Sequence, residues 1–223
     1  MVIDIIKELN LEQLREVFLK YTRKAFQLLP KMDKPRILDI GCGTGIPTIE
    51  LALLSNGEII GIDIDQDALD KLNLKIEKKG LSARVTTINC SLYKANFPDK
   101  HFNILWDEGV IHILDLKKSL KECSRLVKPN GFLVMGEMIK WIKDKFEIFP
   151  KFGFKLIDQF LLPEKTWWTE YYEPLEKKIK ELRKKYPSSE NLEKFKQHGR
   201  EIEMVKKNPK EFDCAFYIMQ KIN

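Results

Sequence analysis

The chain has 223 residues, 43% of them hydrophobic, with a net charge of +6 at neutral pH and four cysteines. That length suits one sizeable domain with added elements, and no apolar run approaches the roughly 20 residues of a membrane span. Cys42, Cys90, Cys123 and Cys214 are dispersed without a CxxC or Cys/His cluster, so neither a metal site nor a disulfide framework is expected. The opening MVIDIIKELNLEQLREVF mixes charges into its apolar residues, as an amphipathic helix does and a signal peptide does not. A reduced, cytoplasmic protein is the resulting expectation.

Residues 3–29 read as helices closed by Pro30, and residues 37–40 as a short buried strand. A helix is expected over 46–54 and a strand over 58–63. The next helix has Asp65 as N-cap, Ala68, Leu69, Leu72 and Ile76 as its buried stripe, and Gly80 at its end. Strands follow at 83–89 and 102–106, then a helix over 115–127. The KPNG segment, 128–131, reads as a turn leading into the strand GFLVMGE. Beyond residue 140, WIKDKFEIFPKFG reads as a helix and FKLIDQFLL as a strand. An insertion spans 163–211. Its first helix places Leu175, Ile179, Leu182 and Tyr186 on one face; its second does so with Leu192, Phe195, Ile202 and Val205. DCAFYIMQKI, 213–222, alternates as a last strand. Alternating strands and helices predict a parallel sheet covered on both faces, with ligands at the carboxyl ends of its strands.

Between residues 176 and 210 there are twelve Lys/Arg and six Asp/Glu, an excess equal to the whole net charge. Such a segment suits a solvated helix face, and also an acidic partner or nucleic acid.

The stretch ILDIGCGTGIPTIELA, 37–52, is the most informative. Gly41, Gly43 and Gly45 let a strand-to-helix turn pass close under a ligand, because no Cβ intrudes. Asp63 ends the next strand, where a carboxylate can accept hydrogen bonds from the two hydroxyls of a ribose. Asp39, just ahead of the turn, disfavours a pyrophosphate and favours a ligand with an ammonium group. S-adenosylmethionine combines adenosine, ammonium and a positive sulfonium.

ILDIGCGTG, IIGIDID, FNILWDEGVIHIL and LVKPNGFLVM, in that order, resemble the motifs of class I S-adenosylmethionine-dependent methyltransferases, most closely the small-molecule enzymes of the ubiquinone/menaquinone-biosynthesis type. The resemblance covers residues 20–137; the segment LPEKTWWTEYYEPLE resembles an uncharacterised branch. It implies a Rossmann-like, doubly wound α/β fold: a seven-stranded, mainly parallel sheet with an antiparallel last strand. A helical segment, 1–30, and the helical insertion, 163–211, complete a single domain over 1–223, the insertion acting as a lid. By the same resemblance, Asp39, Gly41, Cys42, Gly43 and Gly45 hold the methionine part of the cofactor. Asp63 holds the ribose, and Ile64, Ser91 and Leu92 the adenine, with Ser91 standing where the family usually has an aspartate. Thr22 or Arg23 reaches the cofactor carboxylate, and Trp106 lies alongside.

The strand end WDEGVIH then borders the methyl group. Glu108 and His112 are the candidate catalytic groups, able to orient an acceptor or take its proton, while Asp107 reads as a capping or surface acid. Trp141, Trp167, Trp168, Tyr171 and Tyr172 are candidates for an aromatic acceptor wall. The expected activity is methyl transfer by in-line displacement to a small-molecule acceptor, leaving S-adenosylhomocysteine, in a monomer or homodimer without a membrane span. Two alternatives remain: RNA or protein methylation guided by 176–210, and a non-catalytic cofactor-binding protein. Against the first, DEGV stands at 107–110 in place of an N/D-P-P-Y element.

Overall fold

The computed structural model describes residues 8–187 and 195–222. The expected helix start at residues 3–7 and Leu192 of the second insertion helix lie outside the described residues. Seven strands form one sheet: β1 Arg36–Ile40, β2 Glu58–Asp63, β3 Val85–Asn89, β4 Phe102–Glu108, β5 Val127–Met138, β6 Phe154–Leu161 and β7 Cys214–Lys221. Their order is β3-β2-β1-β4-β5-β7-β6. The first five pair parallel, and β7 runs antiparallel to both β5 and β6. This is the expected Rossmann-like sheet with an antiparallel last strand.

The helices are α1 Leu11–Arg15, α2 Leu19–Gln27, α3 Ile46–Leu54, α4 Gln66–Lys78, α5 Leu116–Leu126, α6 Glu173–Lys185 and α7 Lys196–Lys207. Local chemistry sets their starts. The Asp65 side chain accepts from the Ala68 N–H at 3.1 Å to open α4, and the Asp115 side chain accepts from the Lys118 N–H at 2.8 Å to open α5. β1 is central, with Ile37 and Leu38 fully buried, as helices on both faces of a parallel sheet require. Strand order reverses between β1 and β4, so the crevice of a doubly wound fold falls at their carboxyl ends.

Three segments depart from expectation. β4 runs two residues further than read, to Glu108, which makes Asp107 and Glu108 strand residues. KPNG is no separate turn: it lies inside β5, with Asn130 at φ 62 and a register shift opposite Phe102 and Ile104. WIKDKFEIFPKFG forms only a helical turn, Ile139–Ile142, and a tighter helix, Phe146–Phe152. Pro150 inside the latter has no N–H to give an α-helical ladder.

The chain divides into two compact units. Leu19–Leu161 with Cys214–Asn223 form the sheet unit; Met1–Phe18 with Leu162–Asp213 form a helical unit. The helical unit has its own core, in which Leu9, Leu175, Ile179, Leu182, Phe195 and Ile202 are buried.

Candidate active site

The turn after β1 is held by main-chain bonds. The N–H groups of Gly41 and Cys42 donate to the Ile62 carbonyl at 2.8 and 3.0 Å, which draws the turn against the end of β2. All three glycines have left-handed backbones, φ 68, 51 and 81 at Gly41, Gly43 and Gly45. A Cβ on Gly45 would stand 2.1 Å from Leu72 Cδ1, so this glycine lets α4 close onto the turn. A Cβ on Gly43 would meet nothing within 4 Å. Space therefore opens directly beside Gly43.

Asp63 borders that space. Its Oδ2 accepts from the Gly43 N–H at 2.7 Å and its Oδ1 from the Asp65 N–H at 2.9 Å. Each oxygen is fixed by one bond and keeps acceptor capacity for another. Ile64, the next residue, is 75% exposed, an unusual position for a large apolar side chain and a ready face for a flat ring. Cys42 does not offer its thiol. The side chain is buried over β2 near Gly61, and burial pushes its pKa up, so only its backbone faces the turn. Leu92 is likewise a core side chain and presents its main chain alone, next to Ser91.

Asp39 is 2% exposed and accepts from the Thr48 hydroxyl at 2.6 Å. Burial first, then the carboxylates of Glu108 and Asp63, push its pKa up to about 7, against the lowering effect of Thr48. Three carboxylates thus crowd the carboxyl ends of β1, β2 and β4.

Glu108 is positioned from two sides. The Thr22 hydroxyl, on α2, and the Trp106 indole N–H, on β4, both donate to its Oε1 at 2.8 Å. Trp106 is fully buried, with its ring beside Phe26 and Phe216, so its contribution reaches the site through Glu108. Arg23 points to a partner that sequence reasoning missed. Its Nε and Nη2 make a bidentate pair with Glu50 on α3 at 2.6 and 3.1 Å, which ties α2 to α3. Thr22 and Arg23 therefore both act on protein carboxylates in this structure.

At the ends of β4 and β5 lies a second set. Asp107 is fully buried, which corrects its reading as a capping or surface acid in the second half only. Its Oδ1 accepts from the N–H groups of Val110 and Ile111 at 3.1 and 3.0 Å, so it does cap the turn carrying His112. Its other oxygen faces Glu137, itself 1% exposed, on β5. Burial and then the Glu137 charge raise the Asp107 pKa far above the carboxylate range, which favours its protonated form. Glu137 also holds His112: Oε1 accepts from its backbone N–H at 3.2 Å and bonds Nδ1 at 3.4 Å, with Oε2 at 3.1 Å from Nδ1. That bond raises the His112 pKa, partly opposed by burial. Trp141 packs edge-on to the imidazole at 6.2 Å. Glu137 was read only as a strand residue; an acid in the apolar run FLVMGEM is the signal that could have found it.

The remaining aromatics lie in the helical unit. Trp167–Tyr172 is a π-helical turn. Trp167 stacks on Phe18 at 4.5 Å, Tyr171 is buried, and Tyr171 and Tyr172 meet edge to face at 4.9 Å. Lys206 lies over Trp168 at 5.7 Å. These contacts are internal to that unit's core.

Residues 38–135 match a family model described as a methyltransferase domain. That match runs from β1 into β5, inside the sheet unit, and is what this part of the chain is similar to. Among curated relatives of this methyltransferase fold, 27-O-demethylrifamycin SV methyltransferase of Amycolatopsis mediterranei is 28% identical over 127 residues, covering 56% of this chain and 47% of that protein. The ubiquinone/menaquinone biosynthesis C-methyltransferase of Proteus mirabilis is 27% identical over 162 residues, covering 67% of this chain and 63% of that protein. The match thus spans about half to two thirds of these relatives' lengths. A solved structure described as a [4+2]-cyclase, SpnF, superposes with a TM-score of 0.76 at 19% identity, covering 91% of this chain and 80% of that one. At that identity the likeness concerns the fold, and its description shows that a methyltransferase-like frame can host other chemistry.

Proposed function

We propose that the protein binds S-adenosylmethionine at the carboxyl ends of β1, β2 and β4 and transfers its methyl group to a small-molecule acceptor whose attacking atom carries a proton. The observation that supports this most is the crowding of Asp39, Asp63 and Glu108 around the open space beside Gly43. Like charges this close are relieved by a cationic ligand and aggravated by a pyrophosphate. A nucleoside with an ammonium and a sulfonium fits; a dinucleotide does not.

In this reading Asp63 accepts the ribose hydroxyls and Ile64 covers the adenine, with Ser91 and the Leu92 main chain at its edge. Asp39 and the Gly41–Gly45 turn take the ammonium end. When bound, the cofactor supplies an electrophilic methyl group. The chain's task is to hold an acceptor in line with it and to exclude water. Glu108, fixed by Thr22 and Trp106, keeps a negative charge near the positive donor. His112 takes the acceptor's proton, since Glu137 fixes its Nδ1 side and leaves Nε2 as the reactive nitrogen. Trp141 forms a wall next to it. The helical aromatics Trp167, Trp168, Tyr171 and Tyr172 stay acceptor candidates only as part of the helical unit.

Part of the basic segment is neutralised by its own neighbours, which weakens the RNA reading. Lys180 and Lys206 pair with Glu176, and Lys210 pairs with Glu164, each within about 3 Å. Paired charges of this kind make a solvated surface.

Titration calorimetry with S-adenosylmethionine, S-adenosylhomocysteine and NADH tests the cofactor assignment. The first two should bind and NADH should not. Asp63→Ala should weaken binding by roughly 1.5–3 kcal/mol, the range for hydrogen bonds to a charged group. NADH binding, or an indifferent Asp63→Ala, defeats the assignment.

A further inference from the structure

The opposite ends of the same strands carry a second concave site. A cavity of about 510 Å³ lies at the amino edge of the sheet. Five cations line it, Lys34, Arg36, Arg84, Lys100 and Lys128, against one carboxylate, Glu58. Glu58 is spent on Arg36, whose Nε lies 2.8 Å from it.

The other cations are held without being neutralised. Arg84 donates to the carbonyls of Ala52, Ser55 and Gly57 at 2.9 to 3.1 Å. The Lys128 ammonium donates to the side-chain amide oxygen of Asn103 at 3.0 Å, an oxygen that also accepts from the Arg36 N–H. Carbonyls and amides fix a cation's position while leaving its charge in place. Among the described residues, Lys34 and Lys100 have no ion-pair partner.

Backbone geometry adds an independent observation. Lys34 and Lys100 have φ of 44 and 53, two of only five non-glycine residues in the left-handed region among those described. Each sits just before a strand, β1 and β4, at the cavity rim. A β-carbon in that region costs roughly 1–2 kcal/mol, and a lysine has no side-chain bond that favours it as an asparagine has. Strain of this kind gathers at ligand-binding positions. His101, beside Arg36 at 3.0 Å, has its pKa lowered by burial and then by the Arg36 and Lys128 charges, which fits a strongly positive cavity.

We propose that this cavity binds a phosphate-bearing small molecule with several negative charges, of polyphosphate or nucleotide size. Four uncompensated cations around one hollow call for an anion of high charge density, and phosphates carry it. The volume lies within the roughly 300–1,000 Å³ of small-ligand pockets. Asp33, which accepts from the lining Asn56 at 2.8 Å, bounds the hollow with negative charge on one side. The site is separate from the cofactor site by a strand's length, and its test does not depend on the methyl-transfer reading.

The experiment is calorimetry of the full chain with sodium tripolyphosphate at low salt, with and without saturating S-adenosylmethionine. One tripolyphosphate should bind per chain, with the same affinity in both conditions. The double variant Lys34→Asn, Lys100→Asn should weaken it at least about tenfold, the scale of one lost charge-assisted hydrogen bond. Asparagine tolerates the left-handed backbone, so the variant's Tm should hold or rise and its S-adenosylmethionine affinity should stay as in the wild type. Absence of tripolyphosphate binding, binding unchanged in the variant, or competition with S-adenosylmethionine would each overturn the proposal. A short single-stranded RNA that binds the wild type more tightly than tripolyphosphate, and loses that binding in the variant, would overturn it in favour of a nucleic-acid surface.

Discussion

The carboxyl edge of the sheet has two halves, built in different ways. At β1 and β2, the carboxylates of Asp39 and Asp63 are bonded by Thr48, Gly43 and Asp65, all within 20 residues of their partners. Two of those three donors are backbone N–H groups. At β4 and β5, Glu108 depends on Thr22, 86 residues away, and His112 on Glu137, 25 residues away. One half is shaped by the course of the main chain. The other exists only once α2 and β5 have packed. Damage to the first half should therefore read out in binding or folding, and damage to the second in proton transfer.

The largest expected contrast lies inside the glycine turn. Gly45→Val drives a side chain into Leu72 at a φ of 81. Overpacking of a core costs roughly 1–3 kcal/mol and the left-handed β-carbon roughly 1–2 more, a large share of a typical stability of about 5–15 kcal/mol. Gly43→Val meets open space in the chain itself and carries only the backbone cost. It should fold with a modestly lower Tm, yet fill the space reserved for the cofactor and abolish its binding. Thermal melts paired with S-adenosylmethionine titrations separate the two. Wild-type cofactor affinity in folded Gly43→Val would mean that the ligand lies elsewhere.

A smaller effect is expected in the second half. Glu137 raises the His112 pKa by bonding the protonated ring. A base must be neutral to accept a proton, so activity should rise with pH through a pKa above the ordinary value of about 6.5. Glu137→Gln removes the charge and should move that pKa down, shifting the acid limb of kcat/KM to lower pH. With the ring less well oriented, the plateau should fall by part of the ~10²–10⁴ that a positioned base supplies. The imidazole can be titrated by NMR without any acceptor, and cofactor affinity should not change. An unmoved His112 pKa would break the link between the two residues.

The same contrast explains what the sequence made legible. The glycine turn, Asp63, the Asp65 cap and all seven strands could be read because their causes are local: φ, capping and alternation act within a few residues. The parts that could not be read depend on tertiary contacts. Asp107 read as a capping or surface acid, and only its cap is local; nothing nearby in sequence foretells its burial against a partner on β5. Arg23 looked free to reach a ligand, since its match with Glu50 requires α2 to lie on α3. The expected turn at KPNG failed for a related reason: pairing with β4 absorbs it into β5 as an irregularity, and Asn130 takes the left-handed position that a turn would have needed.

The finest test concerns Asp39, where the first half owes something to the second. Its pKa of about 7 comes from burial and then from Glu108 and Asp63, so below pH 7 the free chain holds a proton there. Pairing with an ammonium requires the carboxylate. Binding must then release that proton whenever the pH is below about 7, and progressively less of it above. Cofactor affinity should accordingly fall by up to about tenfold per pH unit below 7 and level off above. Stability runs the other way: the native chain binds more protons than the unfolded one between the ordinary carboxylate pKa and about 7, so the ligand-free protein loses stability as pH rises through that window. Calorimetry in buffers of different ionisation enthalpy counts the proton directly, with close to one released at pH 6 and only a small fraction at pH 7.5, where the ligand's α-amino group is still mostly an ammonium. Glu108→Gln should lower the Asp39 pKa and shrink the release at pH 6, because one of the charges crowding Asp39 is gone. A proton count near zero at both pH values would mean that Asp39 does not meet the cofactor's ammonium, and that the crowding of carboxylates serves another ligand.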